Sequence, residues 1–285
     1  MKKFPIPVVV QPGSQPADED GVVLDYMRMP DGPWTYSMPV IPEPEDVTGL
    51  ESGLACLQAL HDALAGYDSS EAVSVIELDA LDGPNRELID QVLGNGEVSI
   101  RYESMLRARI QESVLAGAWR VQYLNDKDEV ERDVIEVGRI PSLVSDGVFG
   151  KAADTLDLST DGLPPQVGNA PSLLIEIADK VDTRKPGDDA HVINLSLLPN
   201  TDEDLDLLAT RLSTGPCVIL SRGFGNCRIT STGLRDTWWV QFFNSEDTLI
   251  LNTIEISDVP EVACAAPEDI EASAERMAEI LEVYR

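Results

Sequence analysis

Histidine appears twice in 285 residues and cysteine four times. Cys56, Cys217, Cys227 and Cys264 are too few and too scattered to staple a small secreted domain, and no two of them form a CxxC pair. His61 and His191 sit in no HxxxH or HExxH spacing, so nothing marks a zinc or iron site around either. Basic side chains are scarce too. Only 21 Lys and Arg stand against 51 Asp and Glu, a net charge of -30. Such a surface repels phosphate backbones and anionic lipid, which argues against nucleic-acid binding and membrane attachment. It favours a basic partner, or else serves solubility alone. Long apolar runs are missing: none approaches the roughly 20 residues a membrane span needs. The opening MKKFPIPVVVQP is broken by Pro5, Pro7 and Pro12 and has no small-residue cleavage site after it, so it is a poor signal peptide. A soluble cytoplasmic protein with reduced thiols is expected.

What the chain does contain is a likeness to itself. Residues 212–260, the densest apolar and aromatic stretch, lie without a gap on residues 93–141 when shifted back by 119. Coincident pairs include Gly96/Gly215, Ile100/Ile219, Arg109/Arg228, Trp119/Trp238, Asn125/Asn244, Asp128/Asp247, Glu136/Glu255 and Pro141/Pro260. A fixed offset of this length implies a unit built twice, and the length itself suggests about two domains.

In chain order, residues 1–48 hold nine prolines and few periodic apolar positions, which predicts an extended arm. A first repeat over 49–145 begins with an amphipathic helix carrying Leu54, Leu57, Leu60 and Leu64 and ending near Gly66. A strand (73–78), a second helix (85–93) and strands near 98–103, 107–114, 119–125 and 130–137 follow, with Asn125–Asp128 as a hairpin turn. After a Gly- and Pro-containing linker over 146–171, the same order returns in a second repeat over 172–285. That repeat closes with a helix over 267–284, whose Glu268, Asp269 and Glu271 are read into its first turn. The fold class is α+β: a tandem helix–strand–helix–antiparallel meander with helices on one sheet face.

Strand alternation separates two faces. With Trp119/Trp238 and Val121/Val240 inward, the outward set of the first copy is largely polar and arginine-bearing (Ser99, Arg101, Glu103, Arg120, Gln122, Leu124, Arg132). The second copy instead offers Val218, Leu220, Trp239, Phe243 and Leu251. A sheet greasy on both sides must cover its second face or bind something there. The cover is the first copy, the proline-rich arm or a homodimer mate; the binding alternative is a docking face for a protein partner. Arg222, Asn226 and Arg228 adjoin that face.

Local chemistry is thin. Ser221-Arg-Gly-Phe-Gly-Asn-Cys227 has phosphate-loop glycines, but it joins two strands and reads better as a hairpin turn. Cys227 falls on the Ile229 side and is expected to be a buried, inert thiol; a pairing with His191 awaits coordinates. Glu136/Glu255 and Arg109/Arg228 read as a repeated ion pair or turn anchor. A metal or cluster carrier using Cys217 and Cys227, and a thiol-dependent enzyme, stand as rival readings.

SRGFGNCRI, TWWVQFFNSEDTLILNTIEISDVPEVACAAPEDI, SAERMAEIL and the opening FPIPVVVQPGSQP resemble the HupH/HyaF type of hydrogenase expression/formation protein, over essentially the whole chain. The resemblance implies a non-enzymatic maturation factor with no cofactor of its own. It implies action on the iron-sulfur small subunit of an uptake nickel-iron hydrogenase, which carries a twin-arginine export signal, together with a thioredoxin-like companion. It supplies no catalytic residues.

Overall fold

The computed structural model describes residues 39–68, 73–223 and 225–284. Most of the proline-rich arm expected over 1–48 therefore lies outside the described residues. Its last stretch, 39–49, contains turns but no helix or strand.

Helix α1 (Glu51–Ala65) buries Leu57, Leu60 and Leu64 on one stripe and stops at Gly66. Strand β1 (Ser74–Glu77) leads to α2 (Gly83–Leu93), where Asp82 caps the start by accepting from the Asn85 N–H at 3.0 Å. The two helices touch closely at Gly53, whose N–H donates to Asn85 Oδ1 at 2.7 Å. A Cβ there would come within 3.0 Å of Leu88, so a glycine is used despite its helix cost. Strands β2 (Val98–Glu103), β3 (Arg107–Glu112), β4 (Ala118–Leu124) and β5 (Val130–Val137) then form a meander, followed by the single turn α3 (Ser142–Ser145).

The second half repeats this order as α4 (Ala170–Thr183), β6 (His191–Asn194), α5 (Asp202–Leu212), β7 (Thr214–Ser221), β8 (Asn226–Thr232), β9 (Thr237–Phe243) and β10 (Leu249–Ile256). It ends in α6 (Pro267–Val283). Glu271 falls one turn beyond the acidic first turn, which holds Glu268 and Asp269 only. Asp204 ties two helix starts together. It closes a capping box with Thr201 and also accepts the N–H groups of Gly168 and Ala170, each at 2.9 Å.

All ten strands belong to one antiparallel sheet, ordered β1-β5-β4-β3-β2-β7-β8-β9-β10-β6. The two domains suggested by length thus share an unbroken sheet. Its second half reads outward from the centre as the first half does, and the registers agree at the 119-residue offset. Ile100↔Ile110 answers Ile219↔Ile229, Ile110↔Val121 answers Ile229↔Val240, and Val121↔Val134 answers Val240↔Thr253. Short four-residue strands close both edges, which limits the unpaired backbone offered to other chains.

One face carries Ile100, Ile110, Trp119, Val121, Cys217, Ile219, Trp238 and Val240. It is roofed by the two connections that leave β5 and β10, through Ile140, Val144, Val148 and Ala263. Phe149 meets Trp238 edge-on at 5.1 Å. Each connection reaches into the opposite half: Ala153 exchanges hydrogen bonds with Gly233 and Arg235, and the Ala265 N–H donates to Arg139 O at 2.8 Å. Among the described residues, the other face carries helices only near its ends. There α1, α2 and α6 pack over Ile135 and Val137, while α4 and α5 pack over Trp239, Ile254 and Ile256.

Candidate interaction face

Between the two helix layers the middle strands β3, β2, β7 and β8 form the floor of a trough. Directly opposed residues share a face, so the register places Arg101 against Arg109 on one side and against Val218 on the other. Ser99 lies against Leu220, and Leu220 against Arg228. Val218 and Leu220 are half-buried, whereas Arg101 and Arg109 are exposed. Arg101 reaches Glu103 on its own strand at 2.7 Å. Among the described residues Arg109 has no ion pair. Like charges directly opposite on neighbouring strands are unfavourable, and here they stand in a chain whose charge is otherwise strongly negative.

The wall on the α2 side is ionic. Arg120 reaches Asp90 on α2 at 2.5 Å and grips Asp133 with both Nε and Nη2. Asp133, 1% exposed, is also met by Arg86 at 3.2 Å, and its own N–H donates to Asp79 at 3.0 Å. Burial would lower the Arg120 pKa, but the Asp133 and Asp90 carboxylates reverse the effect and raise it. This buried network gave no signal in the sequence, because its members come from α2, β4, β5 and the loop before α2.

The sequence-predicted interaction residues divide. Val218 and Leu220 lie in the trough, with Arg228 beside them on β8. Trp239 is 9% exposed and packs in the cluster beneath α4 and α5, so the cover for this aromatic comes from its own half of the chain. Phe243 is 2% exposed. Arg222 follows β7 and donates its N–H to Glu97 O at 3.1 Å. Asn226 begins β8 and reaches Asp247 at 3.4 Å. Leu251 and Arg132 require a correction. They oppose Phe242 and Tyr123, on the roofed face, not beside Trp239. Both strands carry a register shift at this end, between Leu249 and Leu251 and between Tyr123 and Leu124. Leu251 and Arg132 both lie inside the regular stretch, in step with Thr253 and Val134, which oppose Val240 and Val121 on the roofed face.

The cysteine pair fares no better as a site. Cys217 and Cys227 are 0% and 1% exposed on the roofed face. Cys227 opposes Ser221, which places Cys217 four residues, about 13 Å, further along β7. Two thiolates on one metal ion must come far closer. Burial pushes the Cys227 thiol up to about 12 and raises Cys217 still further. Among the described residues no group of three or more His, Cys, Asp and Glu gathers as a metal cage. His191 opposes Ile256 on the helix-bearing face and contacts Glu176 at 2.8 Å, so it cannot meet Cys227 through the sheet. Ser221 pairs with Cys227 in the antiparallel β7–β8 ladder, so the two strands form a hairpin, and Gly225 takes φ +105° between them. Glu136 is a turn anchor, accepting the Ser142 N–H at 2.8 Å, but Arg109 lies on the opposite face and forms no pair with it.

A cavity of about 780 Å³ opens where the two roofing connections pass. Asp146, Asp188, Asp189, Asp258 and Glu261 line it, against Arg139, which itself pairs with Glu261 at 2.5 Å. These acids come from both halves of the chain, so their meeting was invisible in the sequence. At the start of the roofed face, burial and then neighbouring Glu97 push the Glu112 carboxyl up to about 7, with Asp269 adding to the shift. Among the described residues no helix is long and apolar enough to cross a membrane.

The chain as a whole has known relatives. The family model described as "HupH hydrogenase expression protein, C-terminal conserved region" matches twice, over residues 50–149 and 167–284. The hydrogenase expression/formation protein HoxQ of Cupriavidus necator is 47% identical over 282 residues, covering 99% of this chain and 98% of that protein. HupH of Rhodobacter capsulatus is 42% identical over 98% of this chain and 97% of its own length. The hydrogenase-1 operon protein HyaF of Escherichia coli is 32% identical, covering 73% and 72%. A double match spanning both halves of the sheet, together with relatives aligned nearly end to end, places the chain in the HupH family of hydrogenase expression/formation proteins.

Proposed function

We propose that this protein is a non-catalytic, cytoplasmic maturation factor that holds the small-subunit precursor of an uptake nickel-iron hydrogenase before assembly and export. The observation that carries the reading is the trough. An antiparallel sheet whose centre is covered by no helix among the described residues, with Val218 and Leu220 half-buried on its floor, suits reversible contact with a client surface. The acidic cavity adds a second contact. Three of its carboxylates, Asp146, Asp188 and Asp189, lie outside the Arg139–Glu261 and Arg184–Asp258 ion pairs and suit a basic export signal of the twin-arginine type. A thioredoxin-like companion fits as a further partner. The proline-rich arm and an origin of the two halves by duplication belong to the same reading, the latter supported by the matching registers and the double family match.

The test is a pull-down with the precursor, made with and without its export signal. Val218→Asp and Leu220→Asp, which touch the open floor and leave the packed clusters alone, are expected to abolish capture. Raising salt is expected to weaken capture of the signal-bearing form more than of the truncated one. Normal capture by both trough variants overturns the docking face.

A further inference from the structure

We propose that residues 17–36 of this protein's own N-terminal segment seat in the trough, with their acids on Arg101 and Arg109 and their apolar side chains on Val218 and Leu220. The inference deepens the docking-face reading by adding its regulation: a client must displace the segment.

Charge complementarity is the first support. Two exposed arginines face each other on β2 and β3, and Arg109 meets no carboxylate among the described residues. Arg109 is thus open to a carboxylate from another part of the chain. Residues 17–36 contain Asp18, Glu19, Asp20, Asp25 and Asp31 against the single base Arg28. The same stretch holds Val22, Val23, Leu24, Tyr26, Trp34 and Tyr36, the kind of side chain that half-buried valine and leucine on a floor accept.

Tethering is the second support. The described chain starts at the lip of the trough, where the Val40 N–H donates to Gln91 O on α2 at 3.1 Å. The preceding residue, Asp90, holds Arg120, and Arg120 opposes Gln111, two residues from Arg109 on the same strand. From Val40 back to Asp31 an extended chain reaches up to about 30 Å. Crossing β3, β2, β7 and β8 takes only about 15 Å. A segment anchored this close acts at an effective concentration in the millimolar range, so weak contacts suffice to seat it.

The test uses the full-length protein without client and reads acrylamide quenching of Trp34. The other three tryptophans, Trp119, Trp238 and Trp239, are buried, and a Trp34→Phe protein gives their contribution for subtraction. Trp34 is expected to be protected in the wild type. It should become several-fold more quenchable in the Arg101→Glu/Arg109→Glu protein and at high salt, and be protected again when Asp18, Glu19 and Asp20 are changed to lysine in that background. Trp34 as quenchable in the wild type as in the charge-reversed protein overturns the proposal. Protection that vanishes on dilution also overturns it, by assigning the trough to the segment of a second copy. Client capture is read separately by the pull-down above, so a client that ignores the trough and a segment that ignores it give different results.

Discussion

Ile100 and Ile219 face each other across the antiparallel β2–β7 pair, and they are also the residues superimposed by the 119-residue offset. Their neighbours exchange in the same way: Ser99 opposes Leu220, while their counterparts Val218 and Arg101 oppose each other. An approximate two-fold axis therefore passes through this pair, normal to the sheet. On the roofed side both isoleucines are buried under the crossing connections. On the other side the axis opens into the trough. The two sides differ because the segments that leave β5 and β10 both turn toward the centre, while helices packed over Ile135, Val137, Ile254 and Ile256 stay near the ends.

Asp204 makes acid a specific threat to the second half. Burial alone would raise its pKa, but N–H donors of Ala170, Thr201 and Gly168 hold its carboxyl below the usual range. A depressed folded pKa contributes stability above the unfolded value, near 3.9, which is lost as pH falls through the folded value. Asp204→Ala is expected to cost about 1–3 kcal/mol at neutral pH. In urea titrations its deficit against the wild type should shrink as pH drops below about 4.

Glu112 works in the opposite sense. A carboxyl raised to about 7 binds its proton more tightly in the folded state, so folding loses stability as pH rises from the unfolded value toward 7. The loss is at most roughly 3 kcal/mol, before discounting for partial exposure. Glu112→Gln should flatten this dependence and stabilise the protein at pH 8, as read by thermal unfolding across pH. The counterpart position in the second half is Ser231, which holds the Cys217 backbone N–H at 2.9 Å without any charge.

Asp133 and Arg120 should show the asymmetry of buried ion pairs. Asp133→Ala strands Arg120 and Arg86 beside a vacated site and is expected to destabilise by about 3–5 kcal/mol. Replacing both partners, as Asp133→Leu with Arg120→Met, should recover most of that loss in denaturant titrations. If the double variant is as unstable as the single one, the cost arises from packing and not from the stranded charge.

The thiols should be silent. Burial pushes Cys56 up to about 11 and Cys227 and Cys264 up to about 12, with Cys217 above them. At pH 8 the native protein should label with a thiol reagent at well under one equivalent per chain, and all four cysteines should react once it is unfolded. Rapid labelling of Cys227 in the native state would revive a chemical role for it.

Much of the fold was legible because repeated residues do repeated local work. Asn125 and Asn244 each accept two backbone N–H groups across their hairpins, and Asp128 and Asp247 each take a positive φ. Gly96 and Gly215 stand against the backbone of Ser113 and Thr232, where a Cβ would lie within 2.3 and 2.5 Å of a carbonyl oxygen. Such requirements are local, and one sequence shift exposes them. The candidate site was only half legible. Val218 and Leu220 were found by alternation, whereas Leu251 lies on the roofed face opposite Phe242 and Trp239 proved to be core. A two-residue period says which residues share a side of one strand, but not what lies over that side.

By itself the sequence determined the elements, their order and their repetition, because caps, turns and apolar spacing act over a few residues. Only the tertiary structure decided that β2 pairs with β7 to make one sheet of ten strands, that each half is roofed by its own exiting connection reaching into the other half, and that Trp239 lies covered while Val218 stays half-open. Those outcomes depend on which apolar surfaces find each other over a hundred residues of chain, and such long-range burial leaves no periodic mark in the order of the amino acids.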